Sequence, residues 1–369
     1  MRLRAVDLIE VALPLVAPFR TSFGTEHDHE VLLVRLETDD AVGWAECVAM
    51  ERPAYSSEYL AGARDVLRRH LVPSAVEAGD ALTADAFAGL VEWVKGHRMA
   101  KAALETALLD AELRAQGRSF AERLGAVRDR VPSGVSVGIM DSVPELLDAV
   151  AGYLDAGYLR IKLKIEPGWD LEPLRAVRER FGEDLLLQVD ANTAYTRDDG
   201  AHLAQLDAFD LLLIEQPLDE EDIVGHARLA RQVRTPICLD ESIVSARSAA
   251  DAIELGACAI VNIKPGRVGG YLEAKRIHDV CLDRGVPVWC GGMLETGIGR
   301  APNLALAALP GFTLPGDTSA SNRYYARDVT TPFVLDGGHI AVPTGPGIGV
   351  ELDPALVAEF TVARESVLG

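Results

Sequence analysis

Lys164, Asp190, Glu215, Asp240 and Lys264 stand at intervals of 26, 25, 25 and 24 residues, each at or beside the end of a short apolar run: RIKLK, LLLQVD, LLLIE, ICLD and VNIK. Such an interval holds one strand, one helix and two loops. A charge at the end of a buried strand is costly unless it finds a partner. Three acids flanked by two lysines supply the partners, and they also supply the parts of a metal-assisted proton-transfer site. Carboxylates with no His or Cys beside them are hard oxygen ligands that select Mg2+ or Mn2+ over zinc or copper. A divalent ion there would bind a substrate carboxylate and offset the charge that grows when the neighbouring C–H loses its proton. Two lysines facing each other across that carbon would serve as base and acid. A metal cation, a second lysine and partial burial would lower the pKa of the base.

Taken singly, each residue has a plainer reading. A strand-end Asp often caps the next helix, and Asp240 before Glu-Ser could do so. A lone Lys can simply neutralise a neighbouring acid. Five ionisable groups at one place are not explained by caps, so the question is which elements gather them.

From Val131 the texture is regular. Eight strand candidates (GVSVGIM, RIKLKIE, LLLQVDA, LLLIEQP, ICLDES, IVNIKPG, PVWCGG and FTLPGD) alternate with helical stretches such as 143–156 and 171–181. Runs apolar on both faces, alternating with helices, imply a parallel sheet covered on both sides, and eight units close into a TIM-like (β/α) barrel. An open doubly wound sheet is disfavoured because no G-x-G-x-x-G follows a strand. Counted from GVSVGIM, Lys162 and Lys164 end strand two and Lys264 ends strand six, diametrically opposite. The three acids fill the arc between them, at the C-terminal mouth where barrel enzymes place their sites. Residues 1–130 read instead as an α+β capping unit, strands first and helices after, including a helix from Met99 to about Gln116 closed by Gly117. The last segment, 326–369, is expected to return to that unit, leaving 131–325 as the barrel.

The 369 residues carry 36 basic and 56 acidic side chains, a net charge of -20. Such a surface repels nucleic-acid phosphates and anionic membrane, so neither is an expected partner. The opening MRLRAVDLIEVALPLVAPF is basic and then apolar, but Asp7, Glu10 and Pro14 interrupt it, and it reads as a strand rather than a leader. Five cysteines with no C-x-x-C pair suit buried thiols in a reducing, cytoplasmic setting.

K-x-K at Lys162–Lys164, D-x-N at Asp190–Asn192, E-Q-P at Glu215–Pro217, D-E-S at Asp240–Ser242 and N-I-K-P-G at Asn262–Gly266 together resemble the muconate-lactonising subgroup of the enolase superfamily. The likeness spans nearly the whole chain, including PFRTSFGT and GHRMAKAALETALLDAEL, and is strongest to the o-succinylbenzoate synthase/N-acylamino acid racemase branch. It implies a modified β7α7-type barrel and Mg2+ (or Mn2+ or Co2+) on Asp190, Glu215 and Asp240. It further implies Lys164 and Lys264 as the acid/base pair, Lys162 as an auxiliary cation, Asn192 as a polar group near the metal, and a homo-oligomer. The mandelate racemase pattern is not met, because strand seven offers no histidine. The D-x-D of dipeptide epimerases is absent too, since Asp317 is followed by Thr318 and Ser319.

The same five residues support racemisation of N-acylamino acids, N-succinyl derivatives above all, or syn-dehydration of a cyclohexadiene carboxylate by an o-succinylbenzoate synthase. Arg267, beside Lys264, is the expected discriminator, a cation that would lower the lysine's pKa. Substrate walls are expected from Phe19, Phe23, Met50 and Tyr55 in two capping loops, the first being 18–25. Ser136 on the barrel, Gly292, Met293 and Leu294 after strand seven, and Tyr324 after strand eight would complete them, mostly apolar, with Asp317 expected to bind substrate or to support the groups that do. The Gly-rich R-V-G-G and W-C-G-G fit tight turns better than phosphate cradles. A lysine Schiff-base barrel and a barrel kept only for binding are the readings from other classes.

Overall fold

The computed structural model describes all 369 residues. Strands β1 (Leu3–Thr21), β2 (Gly24–Thr38) and β3 (Val42–Cys47) form an antiparallel meander. After a helical stretch and the short β4 (Arg130–Pro132), seven strands make one parallel sheet. These are β5 (Gly134–Val137), β6 (Arg160–Lys164), β7 (Leu186–Asp190), β8 (Ile214–Glu215), β9 (Ile237–Leu239), β10 (Ile260–Ile263) and β11 (Val288–Cys290). They lie in chain order, as successive right-handed βαβ units require. β12 (His339–Ala341) pairs with β4, and β13 (Thr361–Leu368) pairs antiparallel with β1, giving the first sheet the order β13-β1-β2-β3.

The eighth candidate, FTLPGD, does not form a ladder. Phe312 bridges Val288, and Gly316 bridges Ser133, so the segment touches both edges of the seven-stranded sheet and closes the curl by isolated contacts. Pro315 explains the failure, because it has no N–H to give to a neighbour. Its carbonyl instead accepts from the Arg160 guanidinium at 2.9 Å.

Two further departures bear on the site. The expected loop at 18–25 is the tip of a long hairpin, with Phe19 opposite Glu26 and Thr21 opposite Gly24. The tip rests on the barrel: Ser22 Oγ donates to the carbonyls of Ala191 and Asn192, and Ile139 N–H donates to Arg20 O at 2.9 Å. The helix Arg98–Gln116 ends at Gly117 in the left-handed conformation, but it is buried on nearly every side. It lies between β3 and the barrel, so even Glu105 and Asp110 are out of water.

Those burials follow from what the capping sheet must hold. Glu46 on β3 accepts from Thr296 N–H, Thr296 Oγ1 and Gly299 N–H, satisfying donors at the start of the barrel helix Gly297–Ala307. Glu105 accepts from Leu272 N–H at the start of the helix Tyr271–Asp283. Gly270 lets it approach: a Cβ there would lie 2.0 Å from Glu105 Oε1. Two carboxyls of the capping unit thus cap two helices of the barrel, and one apolar core of 97 buried residues runs through both.

Burial, partly offset by these N–H donors, pushes both carboxyls up to about 8 from an ordinary 4.5. A folded-state pKa above the unfolded one gives stability that is complete below pH 4.5 and is lost as the pH climbs toward 8. E105Q carries no such charge. Its stability relative to wild type should therefore rise by about 1–3 kcal/mol between about pH 5 and about pH 9, read from urea unfolding. A difference that stays flat across that range would contradict the assignment.

Candidate active site

Strand register builds the site. Lys164 is the register partner of Asp190, and Asp190 of Glu215, so three charges stand side by side at the ends of β6, β7 and β8. Glu215 is opposite Cys238, which places Asp240 two residues further along, just past β9. Alternation along each strand points every second side chain inward. Below Lys164 that puts Lys162 and Arg160 on the same face. It puts Gln188 below Asp190, Leu213 below Glu215, Cys238 below Asp240, and Asn262 and then Ile260 below Lys264; Leu213, Cys238 and Ile260 form with Trp289 a separate apolar cluster. The Lys162 ammonium lies 4.8 Å from the centre of the Trp289 ring.

Each acid is held by a cation. Lys164 Nζ lies 2.6 Å from Asp190 Oδ2, and Lys264 Nζ lies 2.8 Å from Asp240 Oδ2. Lys162 Nζ reaches Asp190 at 3.2 Å, Glu215 at 3.1 Å and Asp317 at 2.6 Å. Arg267 Nε sits 3.1 Å from Asp240 Oδ1, while its terminal nitrogens donate to the carbonyls of Ile243 and Asn262. All of these side chains are buried. Burial opposes ionisation of Asp190, but Lys164 and Lys162 outweigh it and hold that carboxyl below its usual range. Burial and repulsion from Asp190 push Glu215 up to about 8.

For Lys264 the expectation of a lowered pKa is not met in this arrangement. Burial works most strongly against its charge, but Asp240, Tyr55, Glu241 and Glu215 together outweigh it and hold the ammonium well above its usual range. Arg267 is no surface residue, yet its charge is directed at Asp240 rather than at the lysine.

The loops carrying these groups are strained and tied. Asn192 and Thr193 after β7 and Gln216 after β8 have φ of 42°, 65° and 37°, a region that side chains other than glycine seldom adopt. Gln216 repays that strain by accepting from Asp240 N–H and Ser242 N–H while donating to Ser242 Oγ. Asn192 accepts from Lys164 Nζ and donates to Glu241 at 2.9 Å. Asn262 donates to Glu215 Oε1 at 2.6 Å. From the capping unit, the Tyr55 hydroxyl donates to Asp240 Oδ2 and accepts from Lys264 Nζ.

A cavity of about 310 Å³ opens over this floor. Lys164, Asn192 and Lys264 form its base, with Phe19, Phe23, Met50 and Tyr55 descending from the capping unit. Gly292, Met293 and Leu294 complete the wall from beyond β11. Gly291 permits the close approach there, because a Cβ would fall 2.3 Å from Asn262 Oδ1 and 2.8 Å from Lys264 Cε. R-V-G-G is a tight turn, with Gly269 and Gly270 both at positive φ.

The remaining expected wall residues lie elsewhere. Ser136 is buried beneath Arg323, which donates to its carbonyl, and Tyr324 is screened by the edge of Phe19 with ring centres 6.2 Å apart. Asp317 sits below the cavity between Lys162 and Arg160. The wall is also less apolar than expected, since exposed Asp28, Glu30 and Glu51 form its rim.

Arg160, Gln216, Glu241 and Asn262 were given no role from sequence. For two of them the signal was present: Arg160 is two residues before Lys162 and Asn262 two before Lys264, the spacing that puts strand residues on one face. Gln216 and Glu241 lie past the strand ends, where parity gives no guide.

As they stand, no three of the acids converge closely enough to hold an ion. The donor set nevertheless fits a hard divalent cation. Three buried carboxylates end adjacent strands, Glu215 is repelled by Asp190, and Asp240 Oδ1 accepts no hydrogen bond.

Comparison with known proteins agrees with this architecture. Residues 4–125 match the mandelate racemase/muconate lactonizing enzyme N-terminal domain, and residues 145–356 match the enolase C-terminal domain-like family. An N-succinylamino acid racemase of Amycolatopsis sp is 67% identical over 99% of both chains. An o-succinylbenzoate synthase of Geobacillus stearothermophilus is 47% identical over 96% of this chain and 95% of its own. Among solved structures, an enolase-superfamily member from Listeria innocua superposes with a TM-score of 0.95 at 40% identity, covering 100% of this chain and 99% of its own. The chain belongs to the mandelate racemase/muconate lactonizing enzyme family of the enolase superfamily and is an enzyme.

Proposed function

We propose that the chain is a divalent-metal-dependent racemase of N-acylamino acids, N-succinyl derivatives above all. The observation that carries this reading is the pair of lysines at the base of one cavity, Lys164 at the end of β6 and Lys264 just past β10, with three strands between them. An α-carbon held over that floor would present one face to each. With one lysine neutral and the other an ammonium, the neutral amine could take the α-proton while the ammonium gives one to the opposite face, which inverts the centre and leaves the two lysines with exchanged protonation. Asp190, Glu215 and Asp240 would hold Mg2+ or Mn2+, which when bound offsets the negative charge of a substrate carboxylate and of its deprotonated form. Asn192 and Tyr55 keep the two lysines in place through the hydrogen bonds described above. The apolar wall would receive the amino-acid side chain and the acyl chain.

The similarity to o-succinylbenzoate synthases, at 41–47% identity, favours syn-dehydration as a second reading. There Lys164 would act alone as base and acid, and Lys264 would serve as a cation. Arg267, locked on Asp240, is the group through which the balance between the two reactions would be set.

The deciding experiment measures racemisation of N-succinyl and N-acetyl amino acids, beside dehydration of the o-succinylbenzoate precursor, with Mg2+ or Mn2+ and with chelator. K164A and K264A should each lower racemisation by about 10²–10⁴-fold or more. Full two-way racemisation by either variant, or activity indifferent to chelator, would sink the proposal. A substrate–lysine adduct trapped by borohydride would point to a Schiff base instead. Y55F removes one hydroxyl shared by Lys264 and Asp240. It should cost about 0.5–1.5 kcal/mol of stability and lower turnover by about tenfold, a split between melting temperature and kcat that simple loss of packing would not give.

A further inference from the structure

Lys162 has carboxylates on two sides of one ammonium. Asp190 and Glu215, on one side, belong to the ligand set proposed above. Asp317, on the other, does not line the cavity and belongs to no ligand set, yet it makes the shortest of the three contacts at 2.6 Å. It stands on the segment that closes the barrel and is fixed there. Its N–H donates to Cys290 O at 2.9 Å, and its second oxygen accepts from Arg160 Nη2 at 2.9 Å. Arg160 is itself fully buried and pinned by the Pro315 carbonyl. The barrel floor thus presents a rigid carboxylate, bound from below and facing Lys162 from above.

Asp190 Oδ1 and Glu215 Oε1 already accept from Asn192 N–H and Asn262, so the oxygens these acids have to offer a cation are those that now hold Lys162. A buried ammonium stripped of its partners is strongly unfavourable, so ion binding would be opposed unless another anion kept it. Asp317 is placed to do that without moving, because it already shares the ammonium. We infer that Asp317, pinned by Arg160, is a positioning residue for ion binding, retaining the Lys162 ammonium so that Asp190 and Glu215 are free to take a divalent cation. The inference rests on the metal-dependent reading above. It differs from a general effect of negative charge, since it acts through one lysine.

Mn2+ binding to the purified full-length protein without substrate, read by calorimetry or by the electron paramagnetic resonance of free Mn2+, tests it. D317N should raise the Mn2+ Kd by about tenfold or more, the usual scale for losing a group that supports a ligand. In a K162M background the same change should shift Kd by about twofold or less, because the lysine it serves is gone. K162M alone keeps the Asp317–Arg160 pair and should bind Mn2+ at least as tightly as wild type, so it carries the test even where D317N fails to fold. An equal shift from D317N in both backgrounds, no shift in either, or weaker binding by K162M would overturn the inference. Wild-type protein that binds Mn2+ while D317N matches it would leave the metal reading standing. Wild-type protein that binds none would overturn both.

Discussion

Everything at the barrel mouth answers to one constraint: carboxylates placed side by side, out of water, cannot stay charged without cations among them. Asp190, Glu215, Asp240, Glu241 and Asp317 are all buried, and so are Arg160, Lys162, Lys164, Lys264 and Arg267. Parallel strands bring like charges together because residues in register lie within about 5 Å of one another across the sheet. Placing lysines on β6 and after β10, at the two ends of the acidic arc, is the arrangement that neutralises the arc while leaving both lysines at the cavity. The same pairing that makes the fold tolerable therefore leaves Lys164 and Lys264 lining the cavity.

That constraint accounts for features of the backbone that have no other purpose. The left-handed turns at Asn192, Thr193 and Gln216 cost conformational energy, of order 1 kcal/mol each. They direct side chains and N–H groups into the network, where Gln216 alone ties β8 to the loop bearing Asp240. The capping unit is subject to the same logic at its own boundary. Glu46 and Glu105 would be liabilities in a plain hydrophobic interface, but each meets the free N–H groups of a barrel helix. The hairpin tip and Tyr55 are thereby held over the floor by polar contacts as well as by apolar packing.

Much of this was legible in the residues. Apolar runs ending in charge at near-constant spacing gave the strand order, and strand order gave the opposed lysines and the acids between them. What stayed hidden depended on contacts distant in sequence or on local geometry. Nothing in FTLPGD announces that Pro315 ends the ladder and hands its carbonyl to Arg160. Neither can a sequence show that Glu46 meets Thr296 across 250 residues. The hairpin tip looks like a loop in sequence because its residues lack regular alternation, although its pairing runs on through Thr21. Arg267 adjoins Lys264 in the chain and shares Asp240 with it, but chain proximity does not reveal that the turn after β10 aims its guanidinium at that carboxylate.

Floor and wall differ in how freely their residues can change. The floor is rigid because Asp190, Glu215, Asp240 and Asp317 each contact at least one cation, so altering one member disturbs the rest. The wall is supplied by Phe19, Phe23 and Met50 from the capping unit and by Met293 and Leu294 from one barrel loop, none of which pairs with the charged groups. Their substitution would reshape the cavity without stranding a buried charge. The wall can therefore change at little cost in stability, while the charged floor cannot. Tyr55 is the exception, for it lines the cavity and touches both Asp240 and Lys264, and so joins the two tiers. A change there would disturb the charged floor as well as the shape of the cavity.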